Sequence, residues 1–139
     1  MMGLQPAFAL PTLTTTPSSN ASNLTLDGEG STSSRIVKVA TLTASTINLT
    51  GFTLTISSSS IGKSGGTPIG FQVVTVNSGD PPPTAAEFTV PSGNNYEYTT
   101  SLAGTENRDI YIYYTPGILQ DPGSYSGSIL VNISDNPLI

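Results

Sequence analysis

Residues 109–115 read DIYIYYT, a nearly unbroken run of β-branched and aromatic side chains. In an extended strand, successive side chains point to opposite faces, and here both faces are apolar. One face would carry Ile110, Ile112 and Tyr114, and the other Tyr111 and Tyr113. A short apolar run of this kind predicts a strand at the centre of a sheet, buried on both sides.

The two-residue period of strands continues on both sides of this run. No segment shows the helical period, and stretches rich in glycine, proline and serine separate the candidate strands. Strands at such short spacing are typical of an antiparallel sandwich or barrel. The sequence therefore predicts an all-β protein of about seven strands, the others being 34–43, 46–56, 71–76, 87–90, 96–102 and 125–133.

The alternation changes phase at Gly51. Within 46–50 the apolar residues are Ile47 and Leu49, at odd positions, whereas within 52–56 they stand at even positions. A shift of one residue moves the apolar set to the other face of a strand. We therefore expect either a β-bulge or a passage from one sheet to the other at Gly51.

Residues 1–34 differ in composition from the rest of the chain. They are rich in serine and threonine and carry two acids but no cation, which is typical of a linker or an extended arm. Residues 7–9 (AFA) fit the end of a signal peptide, yet no basic or long apolar region precedes them, so a remnant and a working segment both remain open. The predicted division is an N-terminal extension at 1–34, serving as donor strand or linker, and a β-sandwich at 35–139. The small apolar residues of the extension are Phe8, Leu10, Leu13, Leu24 and Leu26.

The composition excludes several classes of function. Among 139 residues there are four cations, nine acids and no histidine, cysteine or tryptophan, for a net charge of −5. So few cations form no patch that would neutralise a run of phosphates, and nucleic-acid binding is not expected. The usual zinc, iron–sulfur and haem ligands are missing, as is the histidine of a serine protease triad, so no cofactor is expected. No apolar run approaches the roughly 18 residues of a membrane span.

The C-terminal third contains the segments IYIYYTP at 110–116, PGSYSG at 122–127 and SILVNISDNP at 128–137. Together these segments resemble the end of a bacterial immunoglobulin-like surface domain. These segments are similar to abnormal-spindle/hydin-like domains, and PGSYSG is also similar to the last strand of spore-coat-U-type secreted pilins. Those pilins often carry a disulfide, and this chain has no cysteine. The resemblance implies an antiparallel immunoglobulin-like β-sandwich with an extended N-terminal arm.

Several polar and aromatic residues are candidates for binding. An exposed Tyr111–Tyr113 pair would stack on a sugar or contact another subunit, although the pair would equally form the second face of a central strand. Carboxylates at the strand ends would bind calcium if they converged, although no Asp-rich loop of 12 residues is present. The calcium candidates are Glu106, Asp109, Asp121 and Asp135, and the Asn-x-Ser/Thr sequons are Asn20, Asn23, Asn48 and Asn132.

The sequence favours a structural role over catalysis. Glu97 and Glu106 are two carboxylates of the kind that glycoside hydrolysis needs, but nothing in their spacing favours a catalytic pair. An extended arm can add as a strand to the open sheet edge of a neighbouring copy, and head-to-tail addition builds a filament. We therefore expect a non-enzymatic subunit of an extracellular, pilus-like or cell-surface homopolymer, with the apolar residues of the arm as donors.

Two alternatives remain open. The first is a cell-surface adhesion or carbohydrate-binding module that recognises glycans through loops 57–68 and 77–84, or through Tyr111 and Tyr113. The second is a viral decoration domain, which would share the fold and the composition.

Overall fold

The fold follows from the two-residue alternation seen in the sequence. The computed structural model describes residues 11–17, 24–25, 35–57, 60–61, 68–115, 124–125 and 129–137. Within these residues the regular structure is antiparallel β-strand, apart from one 3-10 turn at Ala85–Glu87. The strands are β1 (Thr12–Pro17), β2 (Leu24–Thr25), β3 (Arg35–Thr46), β4 (Phe52–Ile56), β5 (Ser60–Ile61), β6 (Ile69–Asn77), β7 (Tyr96–Thr99), β8 (Gly104–Tyr114), β9 (Ser124–Tyr125) and β10 (Val131–Asp135).

Seven of the described strands have four or more residues, and they form two antiparallel sheets. The larger sheet has the order β1-β3-β8-β6-β5, and the smaller has the order β10-β4-β7. Strands β2 and β9 form a separate two-stranded pair. The all-β class predicted from the sequence is therefore confirmed. The count of seven agrees because β1, from the segment assigned to the extension, takes the place of the strand predicted at 87–90.

Strand β8 occupies the centre of the larger sheet, as the DIYIYYT run predicts. It pairs with β3 on one side and β6 on the other, so that Ile110 lies opposite both Ala40 and Thr75. A register shift between Lys38 and Ala40 marks a bulge in β3. Both faces of β8 are buried from residue 108 to residue 112.

One core cluster draws side chains from both sheets, which is the packing of a β-sandwich. The smaller sheet contributes β4 above all, whose inward residues are at most 1% exposed. The larger sheet contributes the inward faces of β3, β6 and β8. The buried cluster comprises Val39, Leu42, Ala44, Phe52, Leu54, Ile56, Ile69, Phe71, Val73, Ile110, Ile112 and Tyr114.

Gly51 marks the passage from one sheet to the other, one of the two outcomes that its change of phase predicts. Strand β3 ends in the larger sheet at Thr46, and β4 begins in the smaller sheet at Phe52. Between them a turn is closed by the Gly51 N–H donating to the Asn48 carbonyl at 3.0 Å, with Gly51 at φ +83°. This conformation suits glycine because it has no Cβ.

Three local predictions are wrong. Residues 47–50 are not part of a strand, since β3 ends at Thr46, and Ile47 and Leu49 are 67% and 78% exposed in the turn. Residues 87–90 contain the end of the 3-10 turn instead of a strand. Strand β7 ends at Thr99, which leaves Leu102 in a bend, 73% exposed. In each case a short alternating pattern was cut off by a turn that the period alone does not reveal.

The strand order differs from the constant-type immunoglobulin arrangement. In that arrangement strands A, B, E and D form one sheet and C, F and G the other. With the seven main strands lettered A to G in chain order, the sheets here run A-B-F-D and G-C-E. An immunoglobulin-like topology is thus not confirmed.

Candidate functional site

The N-terminal edge of the larger sheet is formed by β1, which lies inside the segment assigned to the arm. It pairs antiparallel with the second half of β3, with Leu13 opposite Ala44 and Thr14 opposite Thr43. Leu13 is half-buried and packs against the core cluster, whereas the described side chains of residues 12 and 14–16 are exposed. Main-chain hydrogen bonds and one apolar side chain therefore hold this strand.

The other donor candidates are not placed with the same detail. Phe8, Leu10 and Leu26 lie outside the described residues, as do the sequons at Asn20 and Asn23. For Leu24 the structure gives the backbone, which pairs with Tyr125 through β2 and β9. The structural case for a donor strand therefore rests on β1.

A buried arginine links the two sheets at one end of the sandwich. Arg108 of β8 is 7% exposed, and its guanidinium donates to Thr75 Oγ1 from Nε and to the Thr75 carbonyl from Nη2, at 3.1 and 2.8 Å. A third bond runs from Nη1 to Asn77 Oδ1 at 2.6 Å. Its guanidinium carbon also lies 3.8 Å from the centroid of the Tyr98 ring, on β7 of the smaller sheet. A planar cation that both donates and stacks suits this position better than an ammonium would.

Tyr98 connects the arginine to Glu106. Its hydroxyl donates to Glu106 Oε1 at 3.0 Å. Burial, followed by this hydrogen bond to the carboxylate, raises the pKa of Tyr98 above its usual value of 10.0. Beside these groups a cleft of about 380 Å³ opens between the end of β7 and the start of β8, with Phe52 and Leu102 in its lining.

Two turns converge beyond this cleft, and Asn136 joins them. The Asn136 side-chain N–H₂ donates to the Thr50 carbonyl at 2.8 Å and to the Thr100 carbonyl at 2.7 Å. Asn136 Oδ1 accepts from Thr53 Oγ1 at 2.6 Å. These bonds hold three exposed apolar side chains at one end of the sandwich, and we call Ile47, Leu49 and Leu102 the apolar tip.

Asn48, the asparagine of one sequon, bonds to the turn at the same end of the sandwich. Its side-chain amide donates to Thr50 Oγ1, to the Gly51 carbonyl and to the Asn136 carbonyl, at 2.9, 2.8 and 3.0 Å. Asn48 therefore lies half-buried in a turn and not on an exposed strand face. Asn132, in β10, is exposed.

The two tyrosines proposed as a binding pair do not form an open face. Tyr111 is 7% exposed, and burial raises its pKa above 10.0. Tyr113 is half-buried, and its ring centroid lies 5.2 Å from that of Phe88. Gln72 fixes the connection that carries Phe88, because its Nε2 donates to the Phe88 and Val90 carbonyls. The β6–β7 connection therefore covers part of the sheet face to which Tyr113 belongs.

The calcium candidates do not converge in the described residues. Glu106 and Asp109 lie three positions apart in β8, so they point to opposite faces. Asp109 is buried beside Lys38, whose Nζ is 3.7 Å away, and accepts from Ser78 Oγ at 3.1 Å. Asp135 accepts from Thr46 Oγ1 at 2.6 Å, and Asp121 lies outside the described residues. Within the described ranges no three histidine, cysteine or acidic side chains form a group suited to a metal ion.

Sequence reasoning missed Arg108 and Asn136, the two side chains that organise this end. A usable signal for Arg108 was its position next to a strongly apolar run in a chain with only four cations. Neither a scan of known protein-family models nor a search of curated proteins finds a match to the chain. In the part of the chain that the structure describes, no helix has the length and apolar character needed to cross a membrane.

Proposed function

We propose that this protein is a structural subunit of an extracellular or cell-surface polymer, assembled by addition of β1 to the sheet of a neighbouring copy. The observation that carries the proposal is the pairing of β1 with β3 at the edge of the larger sheet. An N-terminal edge strand held by main-chain bonds and by Leu13 can be replaced by the same strand of another copy at little cost. The remaining contacts of the sandwich would stay as they are.

The chain between β1 and β3 is long enough for exchange. Seventeen residues, 18–34, separate the two strands, and an extended chain of that length reaches roughly 55–60 Å once β2, which lies within it, separates from β9. Leu13 lies opposite the small, fully buried Ala44 and packs against the core cluster, so it is the apolar anchor among the described side chains of β1. The low charge and the resemblance to immunoglobulin-like surface domains and secreted pilins support a location outside the cell. The assignment of the sandwich to the immunoglobulin-like domains is part of this proposal.

Cysteine cross-linking tests strand addition directly, because the chain has no cysteine of its own. Thr14 and Thr43 are exposed partners across β1 and β3, and the spacing of directly opposite residues suits a disulfide. Oxidation of a mixture of the single variants Thr14→Cys and Thr43→Cys should give a covalent heterodimer. The double variant should close the bond within one chain and form no strand-exchanged dimer until it is reduced.

The matched control mixes Thr14→Cys with Thr99→Cys, an exposed position on β7 of the other sheet. Negative-stain electron microscopy of the full chain should show filaments that are lost when residues 1–30 are removed. A heterodimer yield no higher than that of the control pair would refute strand addition between copies.

A further inference from the structure

The cleft between the end of β7 and the start of β8 is a polar cavity that the proposed polymer does not use. Its volume is about 380 Å³, which lies within the roughly 300–1,000 Å³ of sites for small molecules. Among the described residues that line it, Glu106 is the one with a charge, and hydroxyl groups belong to Tyr98, Thr99, Thr100, Ser101 and Thr105. A lining of this kind suits a small ligand that is itself rich in hydroxyls.

Two parts of the lining keep hydrogen-bonding groups available. Glu106 is half-buried, and its Oε1 accepts from the Tyr98 hydroxyl at 3.0 Å, whereas its Oε2 accepts no hydrogen bond from the described residues. In the bend at 101–103, Ser101 and Leu102 likewise make no hydrogen bond within the described part of the chain. A carboxylate oxygen and the backbone N–H and C=O groups of the bend can therefore bond to a ligand.

Contacts on either side hold these groups in place. Immediately before the bend, the Thr100 N–H donates to the Phe52 carbonyl at 2.8 Å, and the Asn136 side chain donates to the Thr100 carbonyl at 2.7 Å. The Tyr98 hydroxyl fixes the Glu106 carboxylate. Because the groups are positioned before a ligand arrives, little ordering is needed on binding.

The charge beside the cleft is balanced. The Arg108 guanidinium carbon lies 3.8 Å from the centroid of the Tyr98 ring, and the hydroxyl of the same ring is bonded to Glu106. A cationic ligand would therefore approach the guanidinium, and an anionic ligand would approach the carboxylate, each at close range. A neutral ligand avoids both repulsions, and its hydroxyls can still donate to the carboxylate in charge-assisted hydrogen bonds.

The cleft also has an apolar wall. Leu102 lines it and is 73% exposed. An exposed leucine near a carboxylate matches a ligand with C–H groups on one side and hydroxyls on another. A sugar in its six-membered ring form has this arrangement, because its hydroxyls lie around the edge of the ring and its C–H groups point to the faces. Burial of those C–H groups against Leu102 would add to the hydrogen bonds at the edge.

We propose that this cleft binds a neutral pyranose sugar, either free or as the terminal unit of a glycan. Glu106 Oε2 accepts from ring hydroxyls, the backbone of residues 101–102 bonds to others, and Leu102 covers the C–H face. The site is separate from Tyr111 and Tyr113, the pair that the sequence suggested for sugars. The inference does not rest on the proposed polymer, although a polymer would present the site in many copies and strengthen binding to a glycan surface.

Saturation-transfer-difference NMR of the full chain tests binding with simple probes. The neutral probes are the methyl glycosides of glucose, galactose, mannose and N-acetylglucosamine, each at millimolar concentration. Glucosamine and glucuronate, which carry a positive and a negative charge, are the comparison. We expect transfer to at least one neutral glycoside, strongest at the hydrogens of one ring face, and weaker transfer to the charged sugars.

An array of immobilised glycans that end in the same neutral sugars separates the two sources of the ligand. Binding to the array as well as to the free glycoside identifies the terminal unit of a glycan as the ligand. Binding to the free glycoside alone identifies a free sugar.

Two substitutions locate the site. Glu106→Gln keeps the size of the side chain but removes the charged acceptor, and it should weaken glycoside binding roughly tenfold. Leu102→Ser should weaken binding roughly threefold, and its exposed position makes it a test of the site even if Glu106→Gln unfolds the chain. The matched controls are Glu97→Gln, on β7, and Leu130→Ser, both at exposed positions, and both should bind as the native chain does.

The inference would be overturned if no neutral glycoside gave a transfer signal, or if glucosamine or glucuronate bound more tightly than every neutral probe. It would also fail if the control substitutions weakened binding as much as those in the cleft. The cross-linking test of strand addition is independent of all these results.

Discussion

The guanidinium carbon of Arg108 lies 3.8 Å from the centre of the Tyr98 ring, and the two side chains come from different sheets. The contact joins β8 to β7 at the end of the sandwich where the core gives way to the cleft. Thr75 and Asn77 accept the guanidinium hydrogens from the β6 side. A buried cation with its donors satisfied therefore replaces apolar packing between the sheets at this end.

Removal of the Arg108 charge should destabilise the fold. Arg108→Met removes the guanidinium that donates to the Thr75 carbonyl and to Asn77 Oδ1, and we expect the free energy of unfolding to fall by about 2–4 kcal/mol. Arg108→Lys should restore only part of the loss, since an ammonium cannot form the planar fork. Urea unfolding followed by circular dichroism measures both. A double-mutant cycle with Tyr98→Leu should give a coupling of about 0.5–2 kcal/mol, and a coupling of zero would contradict the stacking contact.

Gly51 should be among the least replaceable positions of the chain. At φ +83°, a Cβ on this residue would overlap the Thr100 carbonyl oxygen and side chain. Gly51→Ala should therefore lower the free energy of unfolding by about 1–3 kcal/mol through the strain of a left-handed backbone. It should lower it further because the 48–51 turn would have to move away from Thr100. Thermal unfolding measures the total.

Gly79→Ala is the matched control for Gly51→Ala. Gly79 has φ +91° with no atom close to the position of a Cβ, so the substitution introduces the backbone strain alone. The difference between the two losses isolates the contact with Thr100. Equal losses would show that the turn and Thr100 do not approach as closely as the structure indicates.

The core could be predicted from the sequence because burial and alternation coincide there. The DIYIYYT run predicts the central strand, and the change of phase at Gly51 predicts the passage between sheets. Phe52, Leu54 and Ile56 lie on the inward face of β4, as their alternation requires. In these segments the side-chain period alone determines which face is inside.

The surface and the site could not be predicted in the same way. Ile47 and Leu49 continue an alternating pattern, yet the chain turns there because Asn48 and Asn136 bind the backbone of the turn. The burial of Tyr111 agrees with a strand buried on both sides, but the contact of Tyr113 with Phe88 depends on tertiary packing and not on the local period. Partners distant in sequence determine these features, and the alternation of a single strand carries no information on them.

Stability should decline at alkaline pH through the buried tyrosines. The pKa of Tyr98 is raised above 10.0 mainly by burial, so the folded chain keeps a proton that the unfolded chain releases. The stabilisation that Tyr98 contributes is fully present below pH 10.0, and it is lost as the pH rises through the raised pKa of Tyr98 in the folded state. Tyr111 acts in the same direction.

Denaturant unfolding at several pH values from neutral to strongly alkaline, compared between the native chain and Tyr98→Phe, measures this linkage. The variant loses the bond to Glu106 at all pH values, but its free energy of unfolding should fall less steeply above pH 10.0. Parallel curves for the two proteins would contradict a raised pKa at Tyr98.

Asn136 should stabilise the tip end far more than its position near the end of the described chain suggests. Asn136→Ala removes the donor that bridges the Thr50 and Thr100 carbonyls and the acceptor of Thr53. Because these groups are partly buried, we expect a loss of about 2–3 kcal/mol in the free energy of unfolding. Asn132→Ala, on the exposed face of β10, is the matched control and should lower the free energy of unfolding by less than about 0.5 kcal/mol.

Hydrogen exchange adds a local measurement of the Asn136 bridge. Loss of the bridge should speed exchange of the Gly51 and Thr100 amides, which donate to the Asn48 and Phe52 carbonyls. Unchanged exchange at both amides would show that the turns hold together without Asn136.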